Sequence, residues 1–192
     1  MKHSDAPWGA LKRATDQVQA LKAQTDPQKQ AESWQDLLIQ LERVWNKSEA
    51  HFSKSPKWTG WKSNYERLRK VDPLLSYLRH ARNADEHTAE EITERKPGSW
   101  TLNPAIGKSL HIKHMNINKG QIERLETDVP VKFTVIDGAA APIDVTDRGV
   151  AYAVPTEHLG KSIPSPNFVA MAELAVDFYT GTLKAAEEFF VD

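Results

Sequence analysis

Apolar residues recur three and four positions apart through the first half of the chain, and the recurrence is interrupted at two Asp-Pro steps. Trp8, Leu11, Ala14, Val18 and Leu21 line one face of a first helix that starts near Pro7. Thr25-Asp26-Pro27 ends it and starts the next, with Asp26 as N-cap and Pro27 as the first helical residue. Ala31, Trp34, Leu37, Leu38, Leu41, Val44 and Trp45 then form one broad face reaching to about Phe52, before Ser55-Pro56. Trp58, Trp61, Tyr65 and Leu68 keep the spacing in a third helix, which closes at Val71-Asp72-Pro73 with a second aspartate cap. Leu74, Leu75 and Leu78 supply the buried face of a fourth. Ala81, Ala84, Asp85 and Thr88 prolong that stripe, which thus turns small and polar halfway along. Small residues admit a second helix closely, and polar groups on an inner face need partners or water. This face is therefore expected to be the contact of a homodimer.

After Glu94 the helical period disappears at Lys96-Pro97-Gly98-Ser99. Leu110–Ile117 alternates like a strand, with Leu110, Ile112 and His114 on one face and His111, Lys113, Met115 and Ile117 on the other. Asn118-Lys119-Gly120 reads as a hairpin turn into Gln121–Glu126. Pro130–Ile136 is a further strand, and Pro142–Val145 and Val150–Val154 are two shorter ones. The expectation is one small antiparallel sheet of three to five strands over about residues 100 to 155. A loop follows, and then a last helix from Asn167 to about Val191 with a continuous apolar face through Val169, Ala172, Ala175, Val176, Tyr179, Leu183, Ala186 and Phe190. So apolar a helix belongs against the N-terminal helices. The fold class is α+β, mainly α: a helical bundle (7–94 with 167–191) in a single domain over 1–192, with an inserted antiparallel sheet before the last helix.

Composition narrows the chemistry. The chain has 192 residues, 40% of them hydrophobic, 27% charged, six of them tryptophan, and a formal net charge of −1. That is enough apolar material for a core, and it advertises no nucleic-acid or membrane partner through overall charge. With no cysteine, disulfides, thiolate metal sites and cysteine nucleophiles are excluded. The polar start and the lack of a long apolar run point to a soluble, cytoplasmic protein without secretory signal or membrane span.

The densest chemistry lies in Tyr77-Leu-Arg-His-Ala-Arg-Asn-Ala-Asp-Glu-His87, on the fourth helix. Within it, Arg82-Asn83-Ala-Asp-Glu-His87 resembles the active-site motif of HEPN (higher eukaryotes and prokaryotes nucleotide-binding) domains. These are compact helical bundles, many of them dimeric ribonucleases that need no metal; the resemblance covers the motif and its helical setting, not the sheet. It implies His87 as general base or acid, Arg82 as phosphate clamp and Asn83 as the orienting group. Beside these, Arg79, His80 and Lys70 are the expected substrate contacts. The resemblance also implies an RNA substrate, products with a 2′,3′-cyclic phosphate and a 5′-hydroxyl, no cofactor or metal, and a bacterial defence or toxin setting with a protein partner or inhibitor. The residue types suit RNA cleavage. An imidazole, with an ordinary pKa of about 6.5, can exchange the 2′-hydroxyl proton, and a forked guanidinium can hold phosphate oxygens.

Helical geometry leaves several arrangements open. At about 100° per residue, Asn83 and His87 lie about 40° apart while Arg82 and His87 lie about 140° apart. Arg82 either bends round the helix, or meets a partner subunit, or simply pairs with Glu86 one turn on. Arg79 shares the Asn83–His87 face. Between Lys54 and Arg82 eight basic side chains face only Glu66 and Asp72, with Trp58, Trp61 and Tyr65 interleaved. Such a mixture suits a single-stranded nucleic acid, or else the aromatics are core and the cations a solvated face. His111 and His114 point to opposite faces of a strand and cannot chelate together. Glu157-His158 sits in a loop able to fold over the fourth helix or serving structure alone, and Asp147-Arg148-Gly149 is turn chemistry. A non-catalytic bundle that binds protein or nucleotide is the competing reading.

Overall fold

The computed structural model describes residues 2–88, 90–119 and 121–191. Five helices form: α1 (Asp5–Ala23), α2 (Pro27–Phe52), α3 (Trp58–Val71), α4 (Pro73–His87) and α5 (Phe168–Phe190). Their starts follow from local chemistry. The Asp26 carboxylate accepts from the Gln28 amide and the Asp72 carboxylate from the Leu75 amide, each ahead of a proline at the first helical position. Asn167 caps α5 through the Ala170 amide. The helical segment expected to reach Glu94 is shorter. α4 stops at His87, where Thr88 turns extended and its hydroxyl donates to the Ala84 carbonyl.

The chain divides into two compact units, residues 1–95 with 140–192, and residues 96–139. In the first unit α1 and α2 pack along each other, and α5 lays its apolar face on both. Trp34, Leu37, Leu74, Met171, Ala172 and Ala175 are fully buried in the shared core, with Trp34 against Phe168 at 4.9 Å between rings. A second cluster joins Phe52, Trp58, Ala186 and Phe190, so Trp58 is core, and Trp61 stacks on it at 5.2 Å. Ala81 and Ala84 are also core, at 0% and 1% exposure. The small-residue stripe expected to receive a second copy is thus filled by this chain's own packing. Among the described residues no helix is long and apolar enough to cross a membrane.

The expected single sheet is instead a set of two-stranded antiparallel ladders. In the second unit, β3 (Ile112–Asn118) pairs with β4 (Gln121–Thr127) and β2 (Ser99–Pro104) with β5 (Val131–Ile136), one ladder nested inside the other. Gly120 of the expected Asn118-Lys119-Gly120 turn lies outside the described residues. Both faces of β3 are exposed and its register shifts twice, so its alternation records no buried side. A further ladder pairs β1 (Thr93–Lys96) with β6 (Ala139–Pro142).

The insertion also ends earlier than expected. Residues 140–162 belong with the helices, because Val145 and Ile163 enter the core and the Tyr77 hydroxyl donates to the Ile143 carbonyl at 2.7 Å. Two hairpins occupy this stretch: β7 (Val145–Asp147) with β8 (Val150–Tyr152), and β9 (Glu157–His158) with β10 (Lys161–Ser162). Pro142–Val145, expected as one strand, is the junction between β6 and β7. Each hairpin turns on two residues of positive φ, Arg148-Gly149 (52° and 80°) and Leu159-Gly160 (48° and 75°). That is the two-residue turn whose twist matches paired strands, and glycine is the residue that takes its second position without strain.

Candidate active site around α4

The tight turn at Arg148-Gly149 brings the carboxylate of Asp147 back against α4. Asp147 Oδ2 accepts from His80 Nδ1 at 2.6 Å and from Asn83 Nδ2 at 3.1 Å. The carboxyl is held below the usual carboxylate range, first by the His80 hydrogen bond and then by Asn83, against the opposing effect of burial. Tyr152 of β8 stacks flat on the His80 ring, 3.7 Å between centroids and 10° between planes. On the far side of the imidazole, Arg79 Nη2 lies 3.0 Å from Nε2.

These contacts define the proton positions of His80. The carboxylate can only accept, so Nδ1 carries the hydrogen, and the guanidinium can only donate, so Nε2 holds the lone pair. With the Arg79 guanidinium over Nε2, the ring borders an open cavity of about 450 Å³. Arg79, His80 and Asn83 line it from α4, and Asp147, Arg148 and Tyr152 from the β7–β8 hairpin.

Asn83 lines this cavity; Arg82 and His87 do not, and Arg82 lies in a narrow cleft with Leu38, Leu78 and Tyr179. Arg82 Nη1 donates to Asn83 Oδ1 at 3.3 Å while its Nη2 pairs with Glu86 Oε2 at 2.5 Å, so the one-turn ion pair is formed. His87 is exposed at the last helical position, and the Arg82–His87 spacing does not close into a contact within this chain. Of the expected substrate contacts, Arg79 and His80 are in the cavity. Lys70 is exposed and lines a different hollow, beside Pro73, Ser76 and Tyr77. The basic run before α4 is partly consumed as structure. Arg69 is buried, pairs with Glu42, donates to the Tyr179 hydroxyl at 3.0 Å and lies 4.4 Å over the Trp45 ring. Lys62 pairs with Glu49 and Glu66.

The Glu157-His158 loop does fold onto α4, as a structural latch. His158 is buried, and its Nδ1 bonds Asp72 Oδ1 at 2.9 Å while the Leu159 amide donates to Oδ2 at 2.7 Å. The carboxylate that caps α4 therefore also holds the β9–β10 hairpin.

Asp147 and Tyr152 are the members of the site that sequence reasoning missed. A carboxylate ahead of Arg-Gly looks like any turn aspartate, and nothing local marks it as a partner for a histidine 67 positions away. No protein-family model, curated protein or solved structure matches the chain.

Proposed function

We propose that the chain is a HEPN-like endoribonuclease that cleaves RNA by attack of the 2′-hydroxyl, without a metal ion. The observation that carries the reading is a cluster on one helix: Arg79, His80 and Asn83 line an open cavity, and Arg82 donates to Asn83. Both arginines keep a buried Nε–H that has no hydrogen-bond partner among the described residues. Of the two, Arg79 lines the cavity, and a guanidinium there is suited to phosphate oxygens, for which charge-assisted bonds are roughly twice as strong as neutral ones. The Arg82-Asn83-x3-His87 spacing supports the same chemistry. His87 projects from the exposed end of α4, where a second copy in a homodimer would meet it. The setting that goes with this reading is the cytoplasm of a bacterium, in a defence or toxin system with a protein inhibitor.

Incubation of the protein with RNA in excess chelator is expected to leave 2′,3′-cyclic phosphate and 5′-hydroxyl ends, with Arg82→Ala expected to abolish this and His87→Ala to slow it. Intact RNA after incubation with the unaltered protein would refute the reading.

One observation favours a second reading, a non-catalytic bundle that binds an anionic or protein partner. Arg82 is already engaged by Glu86, and His87 stands apart from the cavity. Retention of RNA without cleavage, lost in Arg79→Ala, is the result that reading expects.

A further inference from the structure

The structure assigns the proton-transfer step to His80, with Asp147 as its positioning residue; this rests on the ribonuclease reading above and names the group that acts there. Three observations carry it. His80 lines the cavity, with its Nε2 under the Arg79 guanidinium and the opposite ring nitrogen anchored on a carboxylate. That is the base-and-orienter geometry of acid–base catalysis, in which the carboxylate selects the tautomer and stabilises the imidazolium that forms. The ring is fixed in place by Tyr152 stacking and the carboxylate by Asn83, so little reorganisation precedes proton transfer. Finally, the group that masks Nε2 is Arg79, itself a phosphate ligand by chemistry.

The masking gives a sequence of events. A phosphodiester entering the cavity draws the Arg79 guanidinium to its anionic oxygens, because a charge-assisted bond between two ions outweighs one to a neutral imidazole. Nε2 is then free beside the ribose. It takes the 2′-hydroxyl proton as the 2′-oxygen bonds to phosphorus, the P–O5′ bond breaks, and the imidazolium returns the proton to the departing 5′-oxygen. The products are a 2′,3′-cyclic phosphate and a 5′-hydroxyl, with His80 neutral again. The charged and titratable groups around the ring are Glu42 of α2, Arg79 of α4, Asp147 and Arg148 of the hairpin, and Tyr152 of β8. Asp147 is the one in direct contact that stabilises the protonated ring.

The test is single-turnover cleavage of a short RNA oligonucleotide in chelator across pH 5 to 9, with thermal melts and oligonucleotide affinity measured for each variant. His80→Gln is expected to slow cleavage by about 100-fold or more while still binding the oligonucleotide. His80→Ala is expected to regain activity with added imidazole, which a merely structural histidine would not do. Asp147→Asn is expected to slow cleavage by at least about tenfold and to move the ascending limb of the pH–rate profile to lower pH, because the anion that favours the imidazolium is gone. Equal rates in His80→Gln and the unaltered protein, or a superimposable Asp147→Asn profile, would overturn the assignment while leaving the ribonuclease reading intact. Absence of cleavage by the unaltered protein overturns both.

Discussion

Asp72 is the residue on which the position of α4 depends, and removing its carboxylate has consequences that can be worked through. Its side chain is buried and accepts three hydrogen bonds: Oδ1 takes the Leu75 amide at 3.0 Å and His158 Nδ1 at 2.9 Å, and Oδ2 takes the Leu159 amide at 2.7 Å. In Asp72→Ala the lost helix cap costs about 1 kcal/mol. The buried His158 ring and the half-buried Leu159 N–H are then left without an acceptor, at about 1–3 kcal/mol for each group where it stays buried. The β9–β10 hairpin can peel outward and expose both to water, which caps the total near the low end, at about 3 kcal/mol. At roughly 2–4 °C per kcal/mol for a chain of this size, the melting temperature falls by about 6–12 °C.

Urea denaturation followed by tryptophan fluorescence measures the loss. Hydrogen exchange locates it, because the Ile163 amide bonded to the Thr156 carbonyl closes the same loop and should exchange faster. A cycle with His158→Ala should show coupling of about 1 kcal/mol or more, as expected for residues in direct contact. A loss below about 1 kcal/mol in Asp72→Ala, or strict additivity with His158→Ala, would show that the carboxylate is only a helix cap and that the hairpin is held by other contacts.

Two further outcomes test the packing and the electrostatics of the site. Ala81→Leu forces a larger side chain into a fully buried position and should cost about 1–3 kcal/mol in urea denaturation; unchanged stability would mean that this face is open and free for a second copy. The depressed acidity of Asp147 has a definite sign: its folded value lies below the unfolded one of about 3.9, so its stabilisation is present above that pH and lost as pH falls below it through the folded value. Stability measured from pH 2 to 6 should therefore fall less steeply below about pH 4 in Asp147→Asn than in the unaltered protein; parallel curves would contradict the His80–Asp147 bond.

The parts of this protein legible from the residues alone are those governed by near neighbours. Helical period, proline at the first turn and an aspartate acceptor act within four residues, so α1 to α5 and the caps at Asp26 and Asp72 could be placed from sequence. The ion pair of Arg82 with Glu86 is likewise a one-turn event. The chemistry-bearing stretch was found on α4 for the same reason, since its arginines, histidines and asparagine are close together along the chain.

What only the tertiary structure decided is which of those groups can act together. Leu110–Ile117 alternates as a strand should, yet its ladder buries neither face, because alternation does not specify what lies opposite. The stripe through Ala81 and Ala84 reads equally as an interface or as core, and the packing of the same chain fills it. His87 has the suggestive spacing from Arg82 but ends in solvent, whereas His80 acquires a carboxylate from a hairpin 67 residues away. A spacing along one helix sets only angles about its axis. The partner of a side chain is set by whichever distant element folds back onto that face, and here the turn at Arg148-Gly149 brings Asp147 to His80.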